Sequence, residues 1–159
     1  IKSPFWHSSE VLSALNLNII NTFKDDVVYI APYTFSMMIC TFLDNKVCVS
    51  NAAQPYPVLI KSNGKIETVE ILGNAIGVGT DSRWGETVFT WDVGDRLLIY
   101  TDGLTDAGNA QGELFIPDWG NLRGSTDEMC EQLQVEIDAH TKDTILIDDI
   151  TAVILERTA

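Results

Sequence analysis

The sequence is poor in the residues that several classes of site require. Its 159 residues include only three cysteines and two histidines. The cysteines, Cys40, Cys48 and Cys130, form no Cys-x-x-Cys pair, and their odd number argues against a disulfide framework. Because zinc prefers cysteine and histidine ligands, we expect no zinc site. All three cysteines are interpreted as reduced thiols of the core.

Positive charge and long apolar runs are also scarce. The chain has 10 Lys and Arg residues against 23 Asp and Glu residues, a net charge of −13. Most of its surface would repel the phosphates of nucleic acid, so no nucleic-acid partner is expected. No apolar run approaches the roughly 20 residues that cross a bilayer, and no signal-peptide pattern opens the chain. We therefore expect no membrane span and a cytoplasmic location.

What the sequence does contain is enough apolar residues for one core. Its hydrophobic fraction is 45%, and the length fits a single domain over residues 1–159. The chain opens with Ile1 instead of methionine, so we expect it to be a piece of a longer protein.

Two segments have the periodicity of amphipathic helices. The first is SSEVLSALNLNIINTF, where apolar residues recur at helical spacing and Ser8 or Ser9 is the expected N-cap. The second begins after Ser125, which has capping-box spacing to Glu128, and apolar residues then repeat every four positions. Both helices would bury one face.

The remaining apolar segments have the character of β-strands. A hairpin is predicted around the turn at residues 44–46, and Pro55 and Pro57 are expected to interrupt the chain before extended structure resumes. Further strands are predicted at residues 58–60, 87–91 and 96–100 and in the closing segment DDITAVILE. This order of helices and antiparallel-type strands indicates an α+β fold.

Acidic residues flank two of these strands. Asp102 follows the apolar run RLLIY, and Asp148 and Asp149 precede the closing strand. If the two strands are antiparallel neighbours, these ends coincide, and carboxylates brought together there would be compensated by a hard divalent cation such as Mn²⁺ or Mg²⁺. However, Asp-Gly is also a common turn signal. Spacing alone favours the interpretation that these residues are turn or cap acids.

A family resemblance changes that balance. The stretch GDRLLIYTDGLTDAGNAQGELF resembles the signature of the bacterial SpoIIE-type serine phosphatases, a branch of the metal-dependent, protein phosphatase 2C-like superfamily that acts in sigma-factor partner switching. Other blocks resemble the family in the same order: EVLSALN, FSMMICTFLD, NAAQPYPVLI, LGNAIGV and DDITAVILE. The resemblance implies a two-layered antiparallel β-sandwich flanked by helices.

The resemblance also implies a site and a reaction. Asp102 and Asp148 would be catalytic metal ligands in a site for two Mn²⁺ or Mg²⁺ ions, with Asp149 and Gly103 beside them and Asp149 orienting a ligand. The expected activity is hydrolysis of phosphoserine on a regulatory protein, a small anti-sigma-factor antagonist. A sensory or receiver domain is expected upstream.

The sequence departs from the family in two respects. Two early strands, which carry Gly-Asp-x-x-Asp and Asp-x-Ser-Gly-His-Gly blocks in the family, are missing from this chain, so the chain resembles the C-terminal two-thirds of a phosphatase domain with an incomplete metal site. In addition, Ala53 and Gln54 stand where the family has Gly-His. Alanine lacks the freedom of glycine at positive φ, so we expect a local change in this turn.

Two alternatives remain. The chain could be a catalytically inactive pseudophosphatase that acts as a protein-binding module. A glycosidase with paired carboxylates would need an acid of raised pKa in an aromatic cleft, for which the sequence gives little support.

Overall fold

The computed structural model describes residues 7–23 and 33–159. Its elements in chain order are α1 (Ser8–Phe23), β1 (Met37–Leu43), β2 (Lys46–Ala52), β3 (Val58–Ile60), β4 (Ile66–Thr68), β5 (Thr87–Thr90), β6 (Arg96–Tyr100), α2 (Thr126–His140) and β7 (Ala152–Glu156). The chain divides into two compact units, which are described separately. The first unit runs to Tyr56 and includes Glu70–Trp91; the second consists of Pro57–Val69 and Asp92–Ala159.

The first unit contains a three-stranded antiparallel sheet with α1 packed on it. The strand order is β1-β2-β5, and the hairpin register pairs Met37 with Ala52. The turn at Asp44 and Asn45 lies where the sequence predicts it. Leu12 of α1, Ala52 of β2 and Ile76 are completely buried together, so the helix is held by its apolar face.

The beginning of α1 differs from the sequence-based prediction. The side chain of Ser8 is buried and bonds to the Ser50 hydroxyl at 2.7 Å. Glu86 accepts a hydrogen bond from the backbone N–H of Ser9 at 3.0 Å. The predicted serine N-cap is therefore wrong, because a carboxylate distant in sequence satisfies the free N–H group and favourably faces the positive end of the helix dipole.

The second unit contains a four-stranded antiparallel sheet with α2 packed on it. The strand order is β4-β3-β6-β7, and α2 contacts β7. The predicted capping box is present: Ser125 accepts from the N–H of Glu128, and Glu128 accepts from the N–H of Ser125. Met129, Leu133 and Ile137 bury the apolar face of α2 against Leu98. The predicted α+β class, with antiparallel sheets and two helices, is confirmed.

The cysteines do not all belong to the core. Cys48 is buried and Cys40 is half-buried, but Cys130 is exposed on α2, so its prediction as a core thiol is wrong. Burial raises the pKa of Cys40 to about 11, and the neighbouring Cys48 adds to this effect. Neither described helix combines the length and hydropathy that a bilayer-spanning segment needs.

Candidate functional site

The candidate site lies at one end of the sheet in the second unit, where β6 ends and β7 begins. The antiparallel register pairs Tyr100 with Ala152. One residue further, the N–H of Thr101 donates to the carbonyl oxygen of Thr151 at 2.9 Å. The residues that follow Thr101 and those that precede Thr151 therefore share one edge of the sheet.

Thr101 ties the two chain segments together at this edge. Its hydroxyl oxygen accepts a hydrogen bond from the N–H of Thr151 at 3.0 Å. The same hydroxyl donates to the carbonyl oxygen of Asp149 at 3.3 Å. The backbone of Asp149 is thus fixed against the end of β6.

Gly103 brings the turn after β6 into contact with the Asp148–Asp149 segment. A Cβ atom at position 103 would lie 2.4 Å from the carbonyl oxygen of Asp149 and 3.5 Å from the Cβ of Asp148. Real side chains do not fit at such a distance from backbone atoms. A residue without a side chain therefore lets Asp102 lie next to the segment that carries Asp148.

A short 3-10 helix, Asp102–Leu104, fixes the orientation of this turn. The carbonyl oxygen of Asp102 accepts from the N–H groups of Thr105 at 2.9 Å and Asp106 at 2.8 Å. The side chain of Leu104 is completely buried and anchors the turn in the core. Asp102 itself is exposed, and its carboxylate has no hydrogen bond or ion pair to any other described residue.

The chemistry of these acids fits a hard cation, although their number is small. Asp148 and Asp149 are exposed, and Asp148 Oδ1 accepts from the N–H of Asp149 at 2.8 Å. Carboxylate oxygens are the donors that Mn²⁺ and Mg²⁺ prefer. Across residues 7–23 and 33–159, however, no three Asp, Glu, His or Cys side chains are grouped closely enough to hold a metal ion. The described residues thus offer part of a ligand set.

Asp95 has a structural role that the sequence analysis did not identify. It is completely buried at the start of β6 and accepts hydrogen bonds from the ammonium group of Lys61 and from the N–H groups of Ser62 and Asp92, both at 2.8 Å. Burial opposes ionisation, but these bonds lower the pKa of the Asp95 carboxyl below its usual value. The position of Asp95 after a turn glycine was visible in the sequence, whereas the approach of Lys61 was not.

The first unit has a turn at Asn51–Gln54 in which alanine occupies the third position. The side-chain carbonyl of buried Asn51 accepts from the N–H of Gln54 at 2.9 Å, and its amide donates to the Gln54 carbonyl at 2.8 Å. Ala53 adopts a φ of 60°, the left-handed conformation that glycine takes more readily. The turn therefore keeps a strained residue.

A protein-family model matches nearly the whole chain. The sequence matches the family model described as stage II sporulation protein E over residues 6–158. None of the curated proteins compared with the chain is significantly similar in sequence.

Several solved structures share the fold. PppA, a key regulatory component of the T6SS in Pseudomonas aeruginosa, has a TM-score of 0.68 and 14% identity, over 90% of this chain and 65% of that one. The Mn-presoaked phosphatase domain of the cell fate determinant SpoIIE from Bacillus subtilis has a TM-score of 0.61 and 14% identity. This match covers 100% of this chain and 75% of that one. The RsbU and RsbW domains of a Mycobacterium tuberculosis protein have a TM-score of 0.62 and 20% identity. This match covers 97% of this chain and 43% of that one.

The TM-scores show that these proteins share a fold with this chain. Sequence identities of 14–20% show no more than that. The chain spans about two thirds of the PppA chain (65%) and less than half of the Mycobacterium tuberculosis chain (43%).

Proposed function

Because this chain belongs to the stage II sporulation protein E family, we propose that it forms part of a metal-dependent protein-serine/threonine phosphatase. The observation that supports the proposal is the packing of Gly103, the neighbour of Asp102, against the Asp148–Asp149 segment at one sheet edge. A structural relative described as a bacterial serine phosphatase supports the same activity, with a TM-score of 0.65 and 16% identity over 90% of this chain.

In this proposal, Asp102 and Asp148 hold a Mn²⁺ or Mg²⁺ ion through their carboxylate oxygens. The N–H of Asp149 fixes the carboxylate of Asp148 at 2.8 Å, and Thr101 fixes the carbonyl of Asp149 in turn. When bound, a pair of such ions supplies an activated water and neutralises charge on the phosphoryl group. We propose that further oxygen ligands complete the site, since such ions take about six oxygens.

We further propose that the substrate is a phosphoserine on a small regulatory protein of the anti-sigma-factor antagonist type. The structural relatives described as RsbU and RsbW domains and as a cell fate determinant support a role in bacterial signalling.

The proposal is tested by phosphate release from a phosphoserine protein, with Mn²⁺ present and the full-length parent as enzyme. Asp102→Asn and Asp148→Asn keep the shape of the side chain but remove its charge, so turnover should fall at least about 100-fold while circular dichroism stays unchanged. Asp81→Asn, at an exposed loop acid of the first unit, is the matched control and should retain the wild-type rate. Wild-type rates in both site variants would refute the assignment, and an inactive parent would favour a binding module.

A further inference from the structure

A recess lies in the second unit, around the residues where β3 ends and β6 begins. It has a volume of about 560 Å³ and is lined by residues that include Lys61, Arg96 and Arg123. Cavities of roughly 300–1,000 Å³ are typical of small-molecule sites. Arg96 begins β6 and Asp102 follows its end, so strand geometry places the backbones of these two residues about 20 Å apart.

The recess gathers positive charge in an acidic protein. It contains three of the chain's ten Lys and Arg residues, although the net charge is −13. Lys61 forms an ion pair with Asp95. Arg96 forms an ion pair with Glu156, with its Nε atom 2.8 Å from a carboxylate oxygen. Arg123 has no carboxylate partner among the described residues. Its guanidinium donates one hydrogen bond to the carbonyl oxygen of Leu122 at 2.8 Å and forms no ion pair within the described part of the chain, although Arg123 also borders a surface lined by Glu128, Glu131 and Glu136.

Arg123 is presented by a segment whose backbone is already fixed. Its N–H donates to the side-chain oxygen of Gln132 at 3.0 Å, and the amide of Gln132 donates back to its carbonyl at 2.8 Å. Arg96 donates to the carbonyl oxygen of Gly124 at 2.7 Å, which ties the same segment to the sheet. Since these bonds lie within the protein itself, little ordering of the backbone would accompany binding.

The recess also has an aromatic and apolar wall. Trp119 lines it and is half-buried, with its ring 5.2 Å from that of Tyr100. Ile60, Ile66 and Leu122 line the same recess. A flat ring could pack on this wall, while an acidic group attached to it would reach a guanidinium.

We propose that this recess binds a small organic anion that carries a planar ring, with nucleoside monophosphates as the representative class. Arg123 binds the phosphate or carboxylate group, because a guanidinium fork matches the oxygens of either. Trp119 packs against the ring. This site does not depend on the proposed phosphatase activity.

The test is calorimetric titration of the metal-free protein with four probes. AMP and benzoate each combine a ring with an anionic group, whereas adenosine and inorganic phosphate offer only one of the two. At least one combined probe should bind with one-to-one stoichiometry, and each single-feature probe should bind at least about tenfold more weakly. The indole N–H signal of Trp119 should shift on binding.

Arg123→Gln removes an exposed charge with little effect on packing and should weaken binding at least about tenfold. Arg83→Gln removes the same charge at an exposed position in the first unit and should leave affinity within about twofold. The proposal is overturned if neither combined probe binds below about 10 mM, or if Arg123→Gln binds as well as the wild type.

Discussion

At the scale of single residues, Gly103 is held against the backbone of Asp149 so closely that a side chain cannot fit. We predict that Gly103→Ala lowers the free energy of unfolding by about 1–3 kcal/mol, because backbone on both sides must shift to admit the methyl group. Urea denaturation followed by circular dichroism measures this. Gly79→Ala is the control, since nothing lies within 4 Å of a Cβ there, and equal effects of the two changes would contradict the packing.

At Ala53 we predict that a substitution raises the free energy of unfolding. Its φ of 60° costs an alanine about 1–2 kcal/mol, more than the roughly 0.5–1 kcal/mol of entropy that a glycine loses on folding. Ala53→Gly should therefore raise the free energy of unfolding by about 0.5–1 kcal/mol in urea denaturation. Ala14→Gly, at an exposed position within α1, should lower it by about 1 kcal/mol. A loss of stability in both variants would show that residue 53 is unstrained.

Sequence reasoning at this scale succeeded where a residue acts on its near neighbours. Ser125 and Glu128 cap α2 as their spacing predicts. It failed where the partner is distant in sequence: Ser8 bonds to Ser50, and Glu86 caps α1. No local pattern specifies such a contact, because it depends on how the strands pair.

At the scale of elements, the Lys61–Asp95 ion pair joins the end of β3 to the start of β6. Asp95→Asn leaves the Lys61 ammonium without its buried partner, so the free energy of unfolding at pH 7 should fall by about 3 kcal/mol. Asp92→Asn is the matched control: its carboxylate lies 3.7 Å from the same ammonium, but its side chain is 63% exposed. Asp92→Asn should lower the free energy of unfolding by less than about 0.5 kcal/mol. Equal losses of stability in the two variants would contradict the role of burial.

The same pair predicts how stability depends on pH. Since folding lowers the pKa of Asp95, its contribution is complete above the unfolded-state value of about 3.9 and is lost as pH falls through the folded-state pKa. The stability difference between wild type and Asp95→Asn should therefore narrow below about pH 4. Urea denaturation between pH 7 and pH 3 measures it, and a difference that widens towards pH 3 would contradict the direction of the shift.

Most elements could be predicted from local patterns, whereas their pairing could not. The interruption at Pro55 and Pro57 separates β2 from β3 as expected. The closing strand is shorter than its motif suggests, because it begins at Ala152 and leaves Asp148 and Asp149 in irregular structure. That irregular segment is where Gly103 approaches. The pairing of β2 with β5, far apart in the chain, carries no local signal.

At the scale of the whole molecule, the charge distribution separates two kinds of surface within the second unit. The exposed carboxylates of Asp102, Asp148 and Asp149 lie at one end of the sheet, where β6 ends, and the cationic recess lies around the start of β6. Net charge and composition excluded nucleic acid as an expected partner but could not predict this separation, which depends on strand direction. The family could be identified from sequence because its motifs span the chain.

The proposed site requires that Asp102 and Asp148 bind one divalent cation together. The most direct test is a Mn²⁺ titration of this chain followed by paramagnetic broadening of its backbone amide signals, which detects the weak binding expected of two carboxylates. Broadening should concentrate on residues 101–106 and 148–151 and should disappear in both Asp102→Asn and Asp148→Asn, but not in Asp81→Asn. Broadening centred elsewhere, or unchanged in the two site variants, would show that these aspartates are turn acids and would contradict the proposed metal site.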